Sequence, residues 1–137
     1  MILGVGIDLV SVKRIENLTI KFKEKFEQKI FTANEILAAK KFKISKKNIA
    51  AKNCFYTKRF AAKEAFAKAL GLGIGRGIDF RDIEVENDEL GKPKIKILNN
   101  KEKFLKKHFN CKKFSIHLSL SDEKNLANAI VIIEKIS

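Results

Sequence analysis

Two carboxylates stand among apolar residues in this sequence, and their placement predicts chemistry. Glu64 lies within FAAKEAFAKALG, a stretch that is apolar nearly all round, which indicates a buried helix. Asp8 lies within GVGIDLV, an apolar segment typical of a buried strand or its end. A buried charge without a partner is costly, so each carboxylate is expected either to become neutral or to bind a cation.

The two acids make a metal site only if the fold brings them together. Two carboxylates form a hard oxygen site of the kind that holds Mg²⁺ together with substrate phosphates. Lys68 follows Glu64 by one helical turn and could offer an ammonium to the same phosphate. The alternatives are ordinary: an Asp at a strand end often caps the next helix, and a Glu and a Lys four residues apart often pair on a helix surface.

Other chemical signals are weaker. The segment GLGIGRGI lacks the GxGxxG spacing because Arg76 stands at the last glycine position, so a Rossmann site is excluded and the glycines are expected to end a helix beside a ligand. His117 alternates with Ser119 and Ser121 along one face of a strand, but no Ser/His/Asp spacing accompanies it. No zinc or P-loop signature is present.

The first half of the chain predicts one strand and three helices. After the strand, a helix from about Val12 carries apolar residues at spacings of three and four: Ile15, Leu18, Phe22, Phe26 and Ile30. Residues 32–35 match a capping box that begins a second helix. A lysine-rich loop at about residues 43–48 precedes a long helix over about residues 49–70, which Gly71 would end.

The second half predicts mainly strands. DIEVE and KIKIL alternate at period two on either side of NDELGKP, which indicates a hairpin. Residues 99–102 repeat the capping pattern before a short helix, and SIHLSLS and LANAIVIIE form two strands around residues 122–125. We therefore predict an α+β fold: a single compact domain over residues 1–137, with an antiparallel sheet packed on a long helix.

Composition limits the class of protein. At 137 residues the chain is long enough for one core. Cys54 and Cys111 match no metal-ligand spacing, and they favour a reducing cytoplasm over a secreted disulfide framework. The N-terminal segment is a poor signal peptide, and no apolar run approaches the roughly 18 residues that span a membrane.

The positive charge is concentrated in one segment. Residues 13–63 contain 15 Lys or Arg and four acids, a net charge of +11 within a total of +13. Such a segment suggests a polyanionic partner, although a solvated lysine-rich surface explains it equally well. Lys21, Lys25 and Lys29 recur every four residues beside Phe22 and Phe26, so the helix carries a basic stripe along an aromatic one.

The residues as a whole resemble a known family. The chain is similar to the holo-acyl-carrier-protein synthases, the short homotrimeric class of the 4'-phosphopantetheinyl transferase superfamily. The resemblance rests on these blocks: GVGIDLVSVKRIE, the pattern Phe31, Thr32 and Glu35, RFAAKEAFAKALGLGIGRGI, NDELGKP and HLSLSDEKNLANAIVIIE. It implies transfer of the phosphopantetheine arm of coenzyme A to a serine of apo acyl carrier protein, with release of adenosine 3',5'-bisphosphate.

The resemblance also implies roles for residues. Asp8 and Glu64 would hold Mg²⁺ against the coenzyme A diphosphate, and with Lys68 they would carry the catalysis. The coenzyme site would comprise these residues: Arg59, Lys63, Lys68, Gly71, Gly73, Pro93 and His117. The carrier protein would dock on Arg14 and on the striped helix through Lys21, Phe22, Lys25 and Phe26, where many relatives have arginines. Glu64 is the candidate base, directly or through a metal-bound water. The family implies a homotrimer with active sites between subunits.

Two rival hypotheses come from other classes. A small nucleic-acid-binding module would use the same basic segment, but it leaves Asp8 and Glu64 unexplained, and only one Tyr and no Trp are available for stacking. A relative that binds coenzyme A without transferring anything would keep the fold but not need the intact acids and lysines. We therefore expect neither a nucleic-acid nor a membrane partner.

Overall fold

The computed structural model describes residues 1–42 and 45–137. Its strands and helices follow in this order: β1 (Ile2–Ser11), α1 (Val12–Phe22), α2 (Glu24–Ile30), α3 (Ala33–Ala39), α4 (Lys46–Leu70), a 3₁₀ helix (Phe80–Asp82), β2 (Ile83–Asn87), β3 (Pro93–Ile97), α5 (Lys101–His108), β4 (Phe114–Glu123) and β5 (Leu126–Lys135). None of the helices in these ranges is both long and apolar enough to cross a bilayer.

A three-stranded antiparallel sheet of order β1-β5-β4 forms the centre of the molecule. Its inner face packs on α4, and alternate residues of β5 such as Val131 and Ile133 point inward with no exposed surface. The facing side of α4 is built largely from buried alanines, which allows the helix and the sheet to approach closely. β2 and β3 form a separate antiparallel hairpin in which Ile83 pairs with Ile97. The predicted α+β fold is confirmed.

The helix boundaries confirm most predictions. The capping box is present, because the Thr32 hydroxyl accepts from the Glu35 amide and the Glu35 carboxylate accepts from the Thr32 amide. α4 ends at Gly71, which adopts a left-handed φ of 77°. Of the predicted lysine-rich loop, residues 43 and 44 lie outside the described residues, and residues 46–48 already belong to α4.

Two local predictions were wrong. The continuous helix from Val12 is divided at Lys23, whose φ of 50° and ψ of −126° end α1 and begin α2. This break lets Phe26 and Ile30 turn into the core while Phe22 stays 44% exposed. The second capping pattern also fails, because Asn100 precedes α5 with a φ of 58° and its side chain makes no capping bond.

Candidate active site

Two glycines set the distance between β1 and α4 and thereby the site. A Cβ at Gly4 would meet the backbone of Ala69, and a Cβ at Gly6 would meet the backbone of Ala65. The strand therefore lies directly on the helix backbone, where no larger residue fits. Asp8 follows Gly6 by two residues on this strand, so the same contact brings Asp8 to the part of α4 that carries Glu64.

Lys68 connects the strand to the helix at this point. Its Nζ donates to the Ile7 carbonyl at 3.0 Å and to Asp8 Oδ1 at 3.1 Å. Lys68 thus forms its ion pair with Asp8. The alternative, a simple helix-surface pair between Lys68 and Glu64, was wrong, because no such pair occurs among the described residues. The capping alternative for Asp8 was also wrong, because Ser11 caps α1 by accepting from the Arg14 amide.

The charge of Asp8 acts on Glu64. Burial raises the pKa of the half-buried Glu64 carboxyl, and the charge of Asp8 raises it further, while Arg14 and Lys68 oppose the shift. Two carboxylates that repel each other beside an open pocket suit a hard divalent cation. Within residues 1–42 and 45–137 no group of three or more metal-ligating side chains occurs, so such a cation would complete its shell with water or substrate oxygens.

Next to Lys68 lies a pocket of about 570 Å³, here called the glycine-loop pocket. Its lining residues are Glu64, Ala67, Lys68, Gly71, Leu72, Gly73, Ile74 and Arg76. Lys68 and Arg76 give this pocket positive charge, which favours an anion, and its left-handed glycines carry no side chains. Gly71 and Gly73 line this pocket, and their role in coenzyme binding stays a prediction. Arg76, which the sequence analysis did not select, also lines the pocket, and a cation among four closely spaced glycines was a usable signal.

A second cavity, of about 360 Å³, lies between α1, α2 and α4 and is here called the helix cavity. Its lining residues are Arg14, Leu18, Phe22, Lys25, Phe26, Lys29, Ile30, Phe60, Glu64 and Phe80. The Arg14 guanidinium lies 5.3 Å from the centroid of the Phe60 ring, and Lys21 Nζ lies 5.2 Å from that of Phe22. An apolar floor with basic walls suits an acidic partner that also offers an apolar side chain.

Glu64 is the one residue that lines both the helix cavity and the glycine-loop pocket among their described lining residues. Apolar and basic residues line the helix cavity, whereas Lys68, Arg76 and two glycines line the glycine-loop pocket.

His117 and Pro93 lie elsewhere. They line a groove of about 310 Å³ that shares no lining residue with either cavity at Glu64. His117 is exposed on the outer face of the sheet, where its Nε2 lies 3.0 Å from both Ser115 Oγ and Glu134 Oε2. Within one chain, the structure does not bring these two predicted coenzyme residues to the others.

Arg59 and Lys63 point to yet another side of α4. The Arg59 guanidinium stacks 3.5 Å from the centroid of the Phe55 ring beside a pocket between α3 and β2, and its Nε has no partner among the described residues. Burial lowers the pKa of Arg59 to about 10, and Glu35 opposes this shift. The Lys63 side chain has no exposed surface, so this arrangement does not support a direct phosphate contact by Lys63.

Comparison with known proteins identifies the family of this chain. The profile of the 4'-phosphopantetheinyl transferase superfamily matches residues 4–131. A holo-[acyl-carrier-protein] synthase of Pelagibacter ubique strain HTCC1062 is 44% identical over 134 residues, which is 98% of each chain.

Two crystal structures of holo-(acyl-carrier-protein) synthases are also similar. That from Neisseria meningitidis has a TM-score of 0.83 at 37% identity and covers 98% of this chain and 100% of its own. That from Bacillus anthracis, in complex with CoA (3',5'-ADP), has a TM-score of 0.78 at 38% identity over 99% of both chains. The chain therefore belongs to the 4'-phosphopantetheinyl transferase superfamily.

Proposed function

We propose that this chain transfers the 4'-phosphopantetheine arm of coenzyme A to a serine of apo acyl carrier protein. The observation that carries the proposal is that Glu64 lines both the helix cavity, which is apolar and basic, and the glycine-loop pocket, which contains Lys68 and Arg76. The Pelagibacter relative bears the name of this activity over nearly the whole chain, and the Bacillus structure was solved with a coenzyme A ligand. The coenzyme diphosphate would occupy the glycine-loop pocket, and the serine would arrive through the helix cavity.

The reaction is a displacement at phosphorus. The serine oxygen forms a bond to the β-phosphorus of coenzyme A, and the bond from that phosphorus to the bridging oxygen breaks. Adenosine 3',5'-bisphosphate leaves with the electron pair, and the serine proton is lost. Lys68 and Arg76 would offset the negative charge that develops on the diphosphate and the leaving group.

Asp8 and Glu64 fit the role of metal ligands, because they supply two hard oxygens beside the phosphate pocket. Mg²⁺ bound there would neutralise charge on the diphosphate. Glu64 also lines the helix cavity, and its carboxylate would receive the serine proton directly or through a water. The Lys68 ammonium bonded to Asp8 orients that carboxylate.

The helix cavity is the proposed docking surface for the carrier protein. Lys25 and Lys29 border it, Lys21 lies beside the Phe22 ring, and Arg14 lies over Phe60. An acidic helical carrier protein would be steered by the lysines and would insert an apolar side chain beside the exposed Phe22. Phe26 is 7% exposed and contributes mainly to the core beneath.

The proposed assembly is a homotrimer. The outer face of the central sheet exposes a row of large apolar side chains: Val5, Ile7, Leu9, Leu126 and Ile130. A patch of this kind marks an interaction surface, and His117 and Pro93 lie beside part of it in their groove. Packing of this face against other copies would bring His117 and Pro93 of one subunit to the glycine-loop pocket of another. Cys54 and Cys111 are free thiols, which suits a cytoplasmic enzyme.

Mass spectrometry tests the proposed function. Apo acyl carrier protein is incubated with the protein and coenzyme A, either with Mg²⁺ or with EDTA. We expect the mass of one phosphopantetheine to be added only with Mg²⁺, and both Asp8→Ala and Glu64→Ala to abolish the transfer while remaining folded. Glu102→Ala, an exposed acid on α5, is the matched control. An unmodified carrier that a known transferase can modify would refute the proposal.

A further inference from the structure

The Lys63 ammonium is enclosed by three acceptors from different parts of the chain. It donates to the Ile30 carbonyl at 2.7 Å, to Glu35 Oε1 at 2.6 Å and to the Phe80 carbonyl at 3.1 Å. An ammonium has three donors, so all of them are used within the protein. Lys63 therefore has no hydrogen bond left to offer a ligand.

Backbone amides hold Glu35, the carboxylate that pairs with Lys63. Glu35 Oε1 accepts from the Thr32 amide at 2.9 Å, and Glu35 Oε2 accepts from the Val85 amide at 2.8 Å. Burial lowers the pKa of Lys63, and the nearby charge of Glu35 opposes this shift. A buried ion pair stabilises little more than well-packed apolar residues would, so its value lies in the geometry that it imposes.

The two carbonyls that Lys63 binds belong to walls of the helix cavity. α2 ends at Ile30, so this carbonyl has no partner further along its helix, and the Ile30 side chain lines the cavity. The Phe80 side chain also lines the cavity and stacks on Phe60 with ring centroids 5.7 Å apart. Lys63 precedes Glu64 on α4, so one ammonium ties both walls to the helix that carries the carboxylate.

We propose that Lys63 is a positioning residue for the helix cavity, through which the acceptor serine would enter, and that it makes no contact with coenzyme A. By binding the carbonyls of Ile30 and Phe80, it holds α2 and the 3₁₀ helix at a fixed distance from Glu64. This inference rests on the proposed function, because the helix cavity is taken as the entrance for the carrier protein. A lysine that bound phosphate would act on coenzyme affinity, whereas a positioning lysine acts on carrier affinity.

Steady-state kinetics and coenzyme binding separate these two roles. Lys63→Met leaves the Glu35 charge buried without its partner and risks unfolding. The double variant Lys63→Met with Glu35→Gln is therefore used, because it removes both charges of the pair. We expect its KM for the carrier protein to rise about tenfold or more, and its Kd for coenzyme A to stay within about twofold of wild type. Lys103→Met, on an exposed face of α5, is the matched control and should leave both constants unchanged.

Amine labelling of the wild-type protein gives a second test that needs no variant. An amine-reactive reagent followed by peptide mass spectrometry should modify the exposed Lys68 and leave Lys63 unmodified, with or without coenzyme A. Coenzyme A should protect Lys68 and change nothing at Lys63. The inference would be overturned if Lys63 were labelled and coenzyme A suppressed that labelling. It would also be overturned if the folded double variant showed a tenfold rise in its Kd for coenzyme A, or an unchanged KM for the carrier protein. Wild-type protein that modifies no carrier would instead refute the proposed function.

Discussion

Replacement of Gly6 by alanine would test the contact between β1 and α4 that brings Asp8 to Glu64. The new Cβ would lie 2.6 Å from the Ala69 amide nitrogen and closer still to the Ala65 carbonyl oxygen. Ordinary contacts begin at about 3.4 Å, so the strand has to retreat by at least 0.8 Å, the difference between 3.4 and 2.6 Å. Backbone atoms of a 25-residue helix do not yield as a flexible side chain would.

The size of the effect follows from this displacement. Overpacking of this kind costs about 1–3 kcal/mol. For a chain of this length, each kcal/mol lowers Tm by roughly 3–5 °C, so we expect a fall of about 3–15 °C. A misplacement of about 1 Å at a reacting centre can reduce turnover roughly 100-fold, and Asp8 moves with the strand. Thermal unfolding by circular dichroism and carrier modification by mass spectrometry measure the two effects.

A second variant distinguishes displacement from a general loss of stability. Leu105 has no exposed surface in α5, and Leu105→Ala should cost about 2–5 kcal/mol by leaving a cavity. It leaves the spacing between β1 and α4 intact, so the folded fraction at 25 °C should keep its turnover. If Gly6→Ala unfolds at the wild-type temperature, or loses stability but keeps wild-type turnover, then the close contact does not position Asp8 and our reasoning is wrong.

Three further predictions follow from the charges and exposed surfaces described above. Because the pKa of Glu64 is raised above its ordinary value near 4.5, the metal-free native state keeps a proton that the unfolded chain releases. The stability of the protein in EDTA should therefore fall as pH rises above 4.5, and Tm should depend less on pH in Glu64→Gln. Identical slopes of Tm against pH for the two proteins would contradict the shift. Lys25→Glu should raise the carrier KM several-fold at low salt and weaken its salt dependence, while Lys103→Glu should not; equal effects would point to general charge rather than docking. Leu9→Lys places a charge in the apolar outer face, so light scattering should show smaller assemblies with less turnover than wild type, and an unchanged mass would remove this face from the interface.

Much of the fold could be predicted because local patterns and tertiary packing agree. The alternation along β4 and β5, the capping box at Thr32 and the helix end at Gly71 each reflect a local rule that the structure keeps. The break at Lys23 could not be predicted, because a lysine seldom adopts a positive φ and the apolar spacing continues across it. Only the packing of Phe26 and Ile30 into the core shows that the chain turns there.

The candidate site was predictable in part. Asp8 and Glu64 stood out because acids rarely occur within apolar segments, and the structure accounts for this by making them neighbours beside Lys68. The sequence does not distinguish Lys63 from Lys68, because both are lysines of the same helix and differ only in the direction in which their side chains point. That direction depends on residues far away in the sequence, namely Ile30, Glu35 and Phe80, and no spacing within the helix encodes it.

The two cavities that meet at Glu64 also have a kinetic consequence. Because they share only that residue among their described linings, a bound carrier protein need not cover the glycine-loop pocket, and a bound coenzyme need not close the helix cavity. The two substrates should therefore form a ternary complex without a covalent enzyme intermediate, and initial-rate plots should intersect rather than run parallel. Adenosine 3',5'-bisphosphate should compete with coenzyme A but not with the carrier protein.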